Sequence, residues 1–329
     1  MKKFSISYYP SVTGANTYSL RFKHILAMYG DVQSFSFRDQ LSRIVKSPLK
    51  RYDYLFVNWL DSDLLDLDGK LNSINIIKVI FKLILFRARS KKVIYVKHNV
   101  YPHATAPNSI KSTKKCIKLI EFFCDHVIVH SLPEASSSVH YVPHPLYMST
   151  LPKFAMPETC LKDTFIVFGR ITKYKRLEEL IDSFPENKNL IIAGCCEDED
   201  YLKYLETIAP GNISFVSKYL TDDEAKNLID NTQGIIINHA DADMIVSGSF
   251  FYAMSIGIRV ICVKTEFLRW SEAQFGDTAV KCYSDIFALC SGLTDVPLRE
   301  RFDDSLRNKI ISNFGDDIIY KKLRDIIDL

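Results

Sequence analysis

Short apolar runs, rich in branched and aromatic side chains, alternate along this chain with stretches whose apolar positions recur at helical spacing. Residues 4–8, 53–59 and 93–96 predict strands, as do 125–130 and 139–143, and helices are expected from Tyr18 to near Gly30 and over 114–123. The pattern lapses over 143–157 (PHPLYMSTLPKFAMP), a proline-bearing stretch without period that reads as a linker. It then restarts, with strands expected at 165–170, 189–193 and 213–216 and helices at 176–184 and 222–230. Such alternation implies parallel sheets covered by helices, an α/β architecture in two halves.

The most informative stretch is 234–263, GIIINHADADMIVSGSFFYAMSIGIRVICV. It reads as strand, loop, helix, strand: 235–237 and 259–263 are apolar, Phe250, Phe251, Met254 and Ile258 recur at helical spacing, and Gly257 stands where the helix should stop. The loop after such a strand lies at the carboxyl edge of the sheet, where open α/β folds bind ligands. At the helix start, Ser247, Gly248 and Ser249 offer free N–H groups, two hydroxyls and room for a phosphate. Taken alone, the triplet fits an ordinary serine cap equally well.

Position marks further candidates. Gly169, Arg170 and Lys175 follow the strand at 165–170, and an Arg fork plus an ammonium opposite a helix start makes a diphosphate clamp that needs no metal. By itself GRITKYK would be a solvated basic turn. Val216, Tyr219 and Leu220 follow another strand of the same half and are expected near a nucleotide base. In the first half, Gly14 and Asn16 sit in a polar loop after strand one, a candidate acceptor or phosphate loop, and His98 follows the strand at 93–96. Asp61, with Asp63, Asp66 and Asp68, follows the strand at 53–59; a solvated helix start explains most of that acidic cluster.

Composition narrows the classes. A chain of 329 residues suggests two domains, and 47% hydrophobic with 25% charged residues is globular. A net charge of +3, without basic runs interleaved with aromatics, argues against a nucleic-acid partner. The eight cysteines form no C-x-x-C pair and no zinc spacing, so they read as small buried hydrophobes in a reducing compartment; MKKFSISYYPSV has no signal-peptide core, and a cytoplasmic location is expected. The run 74–92, INIIKVIFKLILFRARSKK, is interrupted by Lys78 and Lys82 short of the roughly 20 apolar residues a bilayer span needs. From Ile74 to Lys92 it fits either a basic amphipathic helix on the inner face of a membrane or a core helix with a basic side.

The string FGRITKYKRLEELIDSF, with NLIIAG after it and AMSIGIRVI near the end, resembles the nucleotide-sugar half of bacterial glycosyltransferases of the GT-B fold; VIYVKHNVYPH, HVIVHS and VHYVPHPLY resemble the other half. The resemblance implies two facing Rossmann-like domains with parallel sheets: 1–148 for the acceptor, a linker at 149–162, 163–315 for the donor, and a final helix at 316–329 free to cross back. It implies transfer of a hexose from a UDP- or GDP-sugar to a hydroxyl of a lipid-linked or oligosaccharide acceptor in cell-surface polysaccharide synthesis. No cofactor or metal is expected, with Asp241-Ala242-Asp243 the one place that could overturn this. The role of the G-R-x(4)-K pattern carries over to Arg170 and Lys175.

One departure stands out. Retaining members carry two glutamates where Met244 and Tyr252 stand here, and the SGS turn resembles a divergent branch that includes β-mannosyltransferases, with Asn58-Trp59-Leu60-Asp61 in place of its His-Trp-Pro-Glu-like element. For an inverting reaction Asp61 is the candidate base, although a helix-cap role is nearly as good, and His98 orients the sugar or acceptor. For a retaining one His98 contacts the donor sugar and Asp61 is dispensable. A GT-B-like protein that binds nucleotide sugar without turnover, and a sugar-nucleotide epimerase, are the alternatives.

Overall fold

The computed structural model describes residues 3–11, 16–40, 50–103, 105–148, 163–240, 243–296 and 302–327. The chain divides into two compact units: Met1–Ser149 with Ala242–Val246 and Asn313–Leu329, and Thr150–Asp241 with Ser247–Ser312. Each is built on a six-stranded parallel sheet.

In the first unit β1 (Phe4–Tyr9), β2 (Gly30–Ser34), β3 (Tyr52–Asn58), β4 (Ser90–Lys97), β5 (His126–Val129) and β6 (His140–Tyr141) lie in the order β2-β1-β3-β4-β5-β6. Alternate residues serve opposite faces. Ile6, Tyr8, Phe56, Ile94 and Val96 join the core beneath α1 (Thr17–Ala27), while Leu55, Val57, Val93 and Tyr95 join the one beneath α2 (Ser73–Arg89) and α3 (Ile110–Phe123). Burial on both faces is why these strands read as nearly continuous apolar runs. The edge strand β2 gives no such signal, because Asp31, Gln33 and Ser34 face solvent.

The apolar segment at 74–92 is not one helix. Asn72 caps its start by accepting from the backbone N–H groups of Ile74 and Asn75, and α2 ends at Arg89 where β4 begins, so Lys91 and Lys92 belong to a strand. Most of its cations are also engaged within the fold. Lys82 bonds the Asp63 carboxylate at 2.8 Å and the Tyr9 hydroxyl at 3.0 Å, Arg89 is buried against Gln40 at 3.2 Å, Lys91 pairs with Asp53 at 2.7 Å, and Arg87 pairs with Asp125. Among the described residues no helix is long and apolar enough to cross a membrane.

In the second unit β7 (Thr164–Phe168), β8 (Asn189–Ala193), β9 (Ile213–Val216), β10 (Ile235–Ile237), β11 (Val260–Val263) and β12 (Val280–Tyr283) lie in the order β12-β11-β10-β7-β8-β9. Its helices are α4 (Leu177–Ser183), α5 (Glu199–Ile208), α6 (Asp222–Asp230), α7 (Gly248–Ile256), α8 (Glu266–Phe275) and α9 (Ile286–Gly292). A reciprocal cap between Thr221 and Glu224 starts α6, and α7, buried from Phe250 to Ile256, stops at Gly257 in the left-handed conformation. The strand order turns back between β7 and β10, and in the first unit between β1 and β3. The loops leaving those strands therefore diverge and leave a crevice.

After α10 (Asp304–Phe314) the last helix, α11 (Asp316–Ile327), belongs to the first unit. Its Ile319, Leu323, Ile326 and Ile327 pack with Ile6, Phe22 and Tyr29; Tyr320 stacks on Tyr29 at 4.3 Å, and Arg21 holds both Asp316 oxygens at 2.6 and 2.7 Å. Leu323 is fully enclosed. Leu323→Ala is therefore expected to destabilise the first unit by about 2–5 kcal/mol, read from its urea unfolding transition, and an unchanged midpoint would show that α11 does not hold this core.

Candidate functional site

The switch point of the second unit gathers one set of groups. Gly169, at φ 110°, ends β7, and a Cβ placed there would lie 3.2 Å from the Lys175 Nζ and 3.5 Å from the Ser249 Oγ. Gly194 ends β8 at φ 142°, where a Cβ would strike the Gly169 carbonyl at 2.3 Å, so both glycines are needed for the two loops to close together. Ser249 donates to the Phe168 carbonyl at 2.8 Å and anchors the first turn of α7 to the end of β7.

Lys175 is 5% exposed, and among the described residues it has no carboxylate partner. Burial pushes its ammonium down to about 8, with the Arg170 charge adding to the effect. Its turn is fixed from below, where the buried Asn238 amide donates to the carbonyls of Lys175 and Arg176. Arg176 sits in the left-handed region at φ 53°, a strained setting for a non-glycine residue. Arg170 differs: it is largely exposed and pairs with Glu197 at 3.0 Å.

Ser247 takes the cap position of α7, yet its hydroxyl bonds no helix N–H, so the serine-cap alternative does not describe it. Gly248 follows on the surface. The Val216 carbonyl accepts from Gly194 and Lys218, both at 3.0 Å, Tyr219 is exposed, and Leu220 is half-buried before α6.

A second gathering, without formal charge, occupies the carboxyl edge of the first sheet. Asn58 ends β3; its Nδ2 donates to the Tyr9 carbonyl at 3.1 Å, which leaves its Oδ1 to accept from the His98 Nε2 at 3.0 Å. His98 therefore carries its proton on Nε2 and presents a bare Nδ1. Trp59, strained at φ 51°, stacks on the His98 ring at 4.4 Å. His130 gives its Nδ1 proton to the Val142 carbonyl at 2.8 Å, so its Nε2 accepts from the Tyr18 hydroxyl at 2.9 Å. His144 gives its Nδ1 proton to the Pro145 carbonyl at 2.7 Å. Burial pushes His130 down to about 4, and burial followed by neighbouring imidazoles pushes His98 well below the usual range, so these rings are neutral at pH 7.

Asp61 requires a correction. It is 2% exposed, its Oδ1 has no hydrogen-bond partner, and its surroundings are Tyr95, Lys97 and Asp63 rather than His98. The left-handed turn at Trp59 sends the following 3-10 turn, Leu60–Leu64, inward, so a carboxylate expected at the crevice is enclosed. Its helix-cap alternative also fails, since Trp59 holds the cap position. Burial raises the Asp61 carboxyl, with the Tyr95 hydroxyl acting in the opposite direction.

Asn16 caps α1 by accepting the Ser19 N–H at 3.0 Å, a local role, and Gly14 lies outside the described residues. Of Asp241-Ala242-Asp243 only Asp243 is described, and its carboxylate is taken by the His103 Nδ1 at 2.6 Å. Among the described residues no three His, Cys, Asp or Glu side chains converge to hold a metal. The Tyr252 hydroxyl is tied to the Asp222 carbonyl at 3.3 Å, and Met244 bridges to Asn99 within the first unit. Sequence reasoning missed Tyr18, His130 and His144, although both histidines stand just past a strand of the first half, the position that singled out His98.

No protein-family model matches the sequence, and a search of curated proteins finds no match. Solved structures do match. Anabaena HepE, in complex with UDP and glucose, superposes with a TM-score of 0.64 at 13% identity over 98% of both chains. An α,α-trehalose-phosphate synthase (UDP-forming) from Burkholderia xenovorans gives 0.59 at 12% over 95% of this chain and 83% of that one. The T4 phage BGT, in complex with UDP and Mn2+, gives 0.54 at 15% over 100% of both. The chain has the GT-B glycosyltransferase fold.

The neutral histidines make stability depend on pH. His130 titrates near 4 when folded and about 6.5 when unfolded, so between these values the unfolded chain binds more protons. Its contribution is complete above about pH 6.5 and falls as pH drops toward 4, by about 3 kcal/mol at the lower limit. Urea unfolding at pH 7 and pH 5 should show the loss, and His130→Gln should flatten it; equal slopes in the two proteins would refute the role.

Proposed function

We propose that the protein transfers a hexose from a UDP- or GDP-sugar to a hydroxyl of a lipid-linked or oligosaccharide acceptor in cell-surface polysaccharide synthesis, in the cytoplasm and without a metal ion. The observation that carries this is Lys175, an enclosed ammonium without a counter-ion among the described residues, beside Gly169 and the start of α7. A buried charge is costly until it is paired, and a diphosphate supplies both the charge and the oxygens. When the glycosidic bond breaks, negative charge develops on the leaving phosphate. The ammonium and the first N–H groups of α7 stabilise it in place, the work a cation does elsewhere. Arg170, at the surface, adds a screened charge, and Val216, Tyr219 and Leu220 are assigned to the base.

In the first unit His98 is assigned to the sugar or acceptor hydroxyl. Its Nδ1 lone pair is available at pH 7 and its ring is fixed by Asn58 and Trp59. Asp61 takes no part. Support for a nucleotide-sugar substrate also comes from HepE, whose structures hold UDP with glucose and UDP-glucose. A second reading, binding without turnover, is favoured by Met244 and Tyr252 at the glutamate positions. It is separated from the first by assaying for a glycosylated product or free sugar.

Lys175→Met should weaken UDP or GDP binding by about 10- to 100-fold in calorimetry, the loss of a charge-assisted contact, whereas Arg170→Ala should change it less than about fivefold. Since the free ammonium titrates near pH 8, affinity should be flat below that pH and decline above it as the charge is lost. Wild-type affinity in Lys175→Met would sink the donor assignment.

His98→Ala should slow transfer by 10²-fold or more, with Asp61→Asn, provided it folds, and a chelator both leaving it unchanged. A slow Asp61→Asn enzyme of normal circular dichroism would return the base to Asp61.

A further inference from the structure

The outward face of α2 and α3 is chemically one-sided. The two helices lie on the same face of the first sheet, held by Val79, Leu83 and Phe86 from one and Ile117 and Ile120 from the other. On its far side α2 leaves Ile74, Ile77, Phe81 and Ile84 each more than half exposed. At helical spacing these four form one stripe. Phe122, among the most exposed large side chains of the chain, continues it from α3 and lines a surface hollow together with Ile84 and Arg87. A patch of this kind is not expected to stay in water on a folded protein.

Asp125 also lines that hollow but is paired with Arg87, and among the described residues the exposed charges of the two helices that lack an ion pair are positive. No acidic residue occurs in α2, and the single acid of α3, Glu121, is taken by Lys97 at 2.9 Å. On α3 the exposed Lys111, Lys115 and Lys118 fall on the same side as Phe122 at about 100° per residue. None of the three has an ion-pair partner among the described residues. The basic side foreseen within 74–92 is thus largely spent inside the fold, with Lys78 left exposed, and α3 adds three further cations without an ion pair among the described residues.

We propose that this face docks on an anionic lipid surface, α2 entering the boundary between headgroups and acyl chains while the α3 lysines meet headgroup phosphates. Charge selects this occupant. A two-fold contact with a second copy would set the row of Lys111, Lys115 and Lys118 and its apolar stripe against themselves, whereas anionic lipid offers both the opposite charge and hydrocarbon. The surface stands on these residues whether or not the proposed transfer does.

The test is flotation of the full chain with pure phosphatidylcholine vesicles and with mixed phosphatidylcholine–phosphatidylglycerol vesicles, at low and high salt. The wild type should float with the mixed vesicles at low salt. Replacing Lys111, Lys115 and Lys118 by Gln should cut that partitioning by about 10²-fold, roughly fivefold per lysine, and remove its salt dependence. Phe81→Ser with Phe122→Ser should weaken binding to both vesicle types. Far-ultraviolet circular dichroism checks that the variants fold, and calorimetry with UDP follows the donor site separately. The proposal is overturned if the wild type stays unbound at low salt, if folded variants float like the wild type, or if sedimentation shows a dimer that the Phe81→Ser, Phe122→Ser variant dissociates.

Discussion

An ammonium enclosed by protein without a carboxylate beside it is unfavourable, and the second unit arranges much of its structure around one that has no carboxylate partner among the described residues. Lys175 is held there by the Asn238 amide beneath its turn, by a left-handed Arg176 and by two glycines that let neighbouring loops close. Each of these features costs conformational freedom or strain. Together they keep the charge at the switch point of the sheet, beside the start of α7, whose helix dipole adds positive potential there.

The first unit solves a different problem. The cluster at its carboxyl edge is made of imidazoles, a phenol and an amide, not formal charge, and the tautomers of His98 and His130 are set by the Asn58 amide and the Val142 carbonyl. Low-dielectric surroundings keep the histidines neutral, which leaves His98 a lone pair near neutral pH and makes the cluster sensitive to acid. Asp61 lies in the same unit but is buried, and burial is what raises its carboxyl. A perturbed carboxyl is a useful marker of function only when a substrate can reach it.

The outer face of α2 and α3 shows the same separation of composition from arrangement. Six cations in 74–92 suggest a basic helix. Ion pairs with Asp53, Asp63 and Asp125, and burial of Arg89, consume most of that charge, while a helix that looked unremarkable contributes lysines without an ion pair among the described residues.

By itself the sequence determined the α/β class, the break between two halves and most strands and helices, because burial on both faces of a parallel sheet imposes apolar runs that survive in one dimension. It also set Gly169, Lys175 and the Ser247–Ser249 turn just past such runs, at the carboxyl edge of the sheet, and the structure brings Gly169, Lys175 and Ser249 together there. It did not reveal β2, whose exposed edge needs no apolar pattern, nor the grouping of Tyr18, His130 and His144 with His98, which comes from separate strands and a helix. Arg170 and Lys175 are equivalent cations in GRITKYK; only packing placed one in solvent against Glu197 and the other in the interior. Likewise a single left-handed residue, Trp59, decided that Asp61 points inward. Which side of a turn a side chain occupies depends on the neighbours that fill the space around it, and those neighbours are assembled only by the tertiary fold.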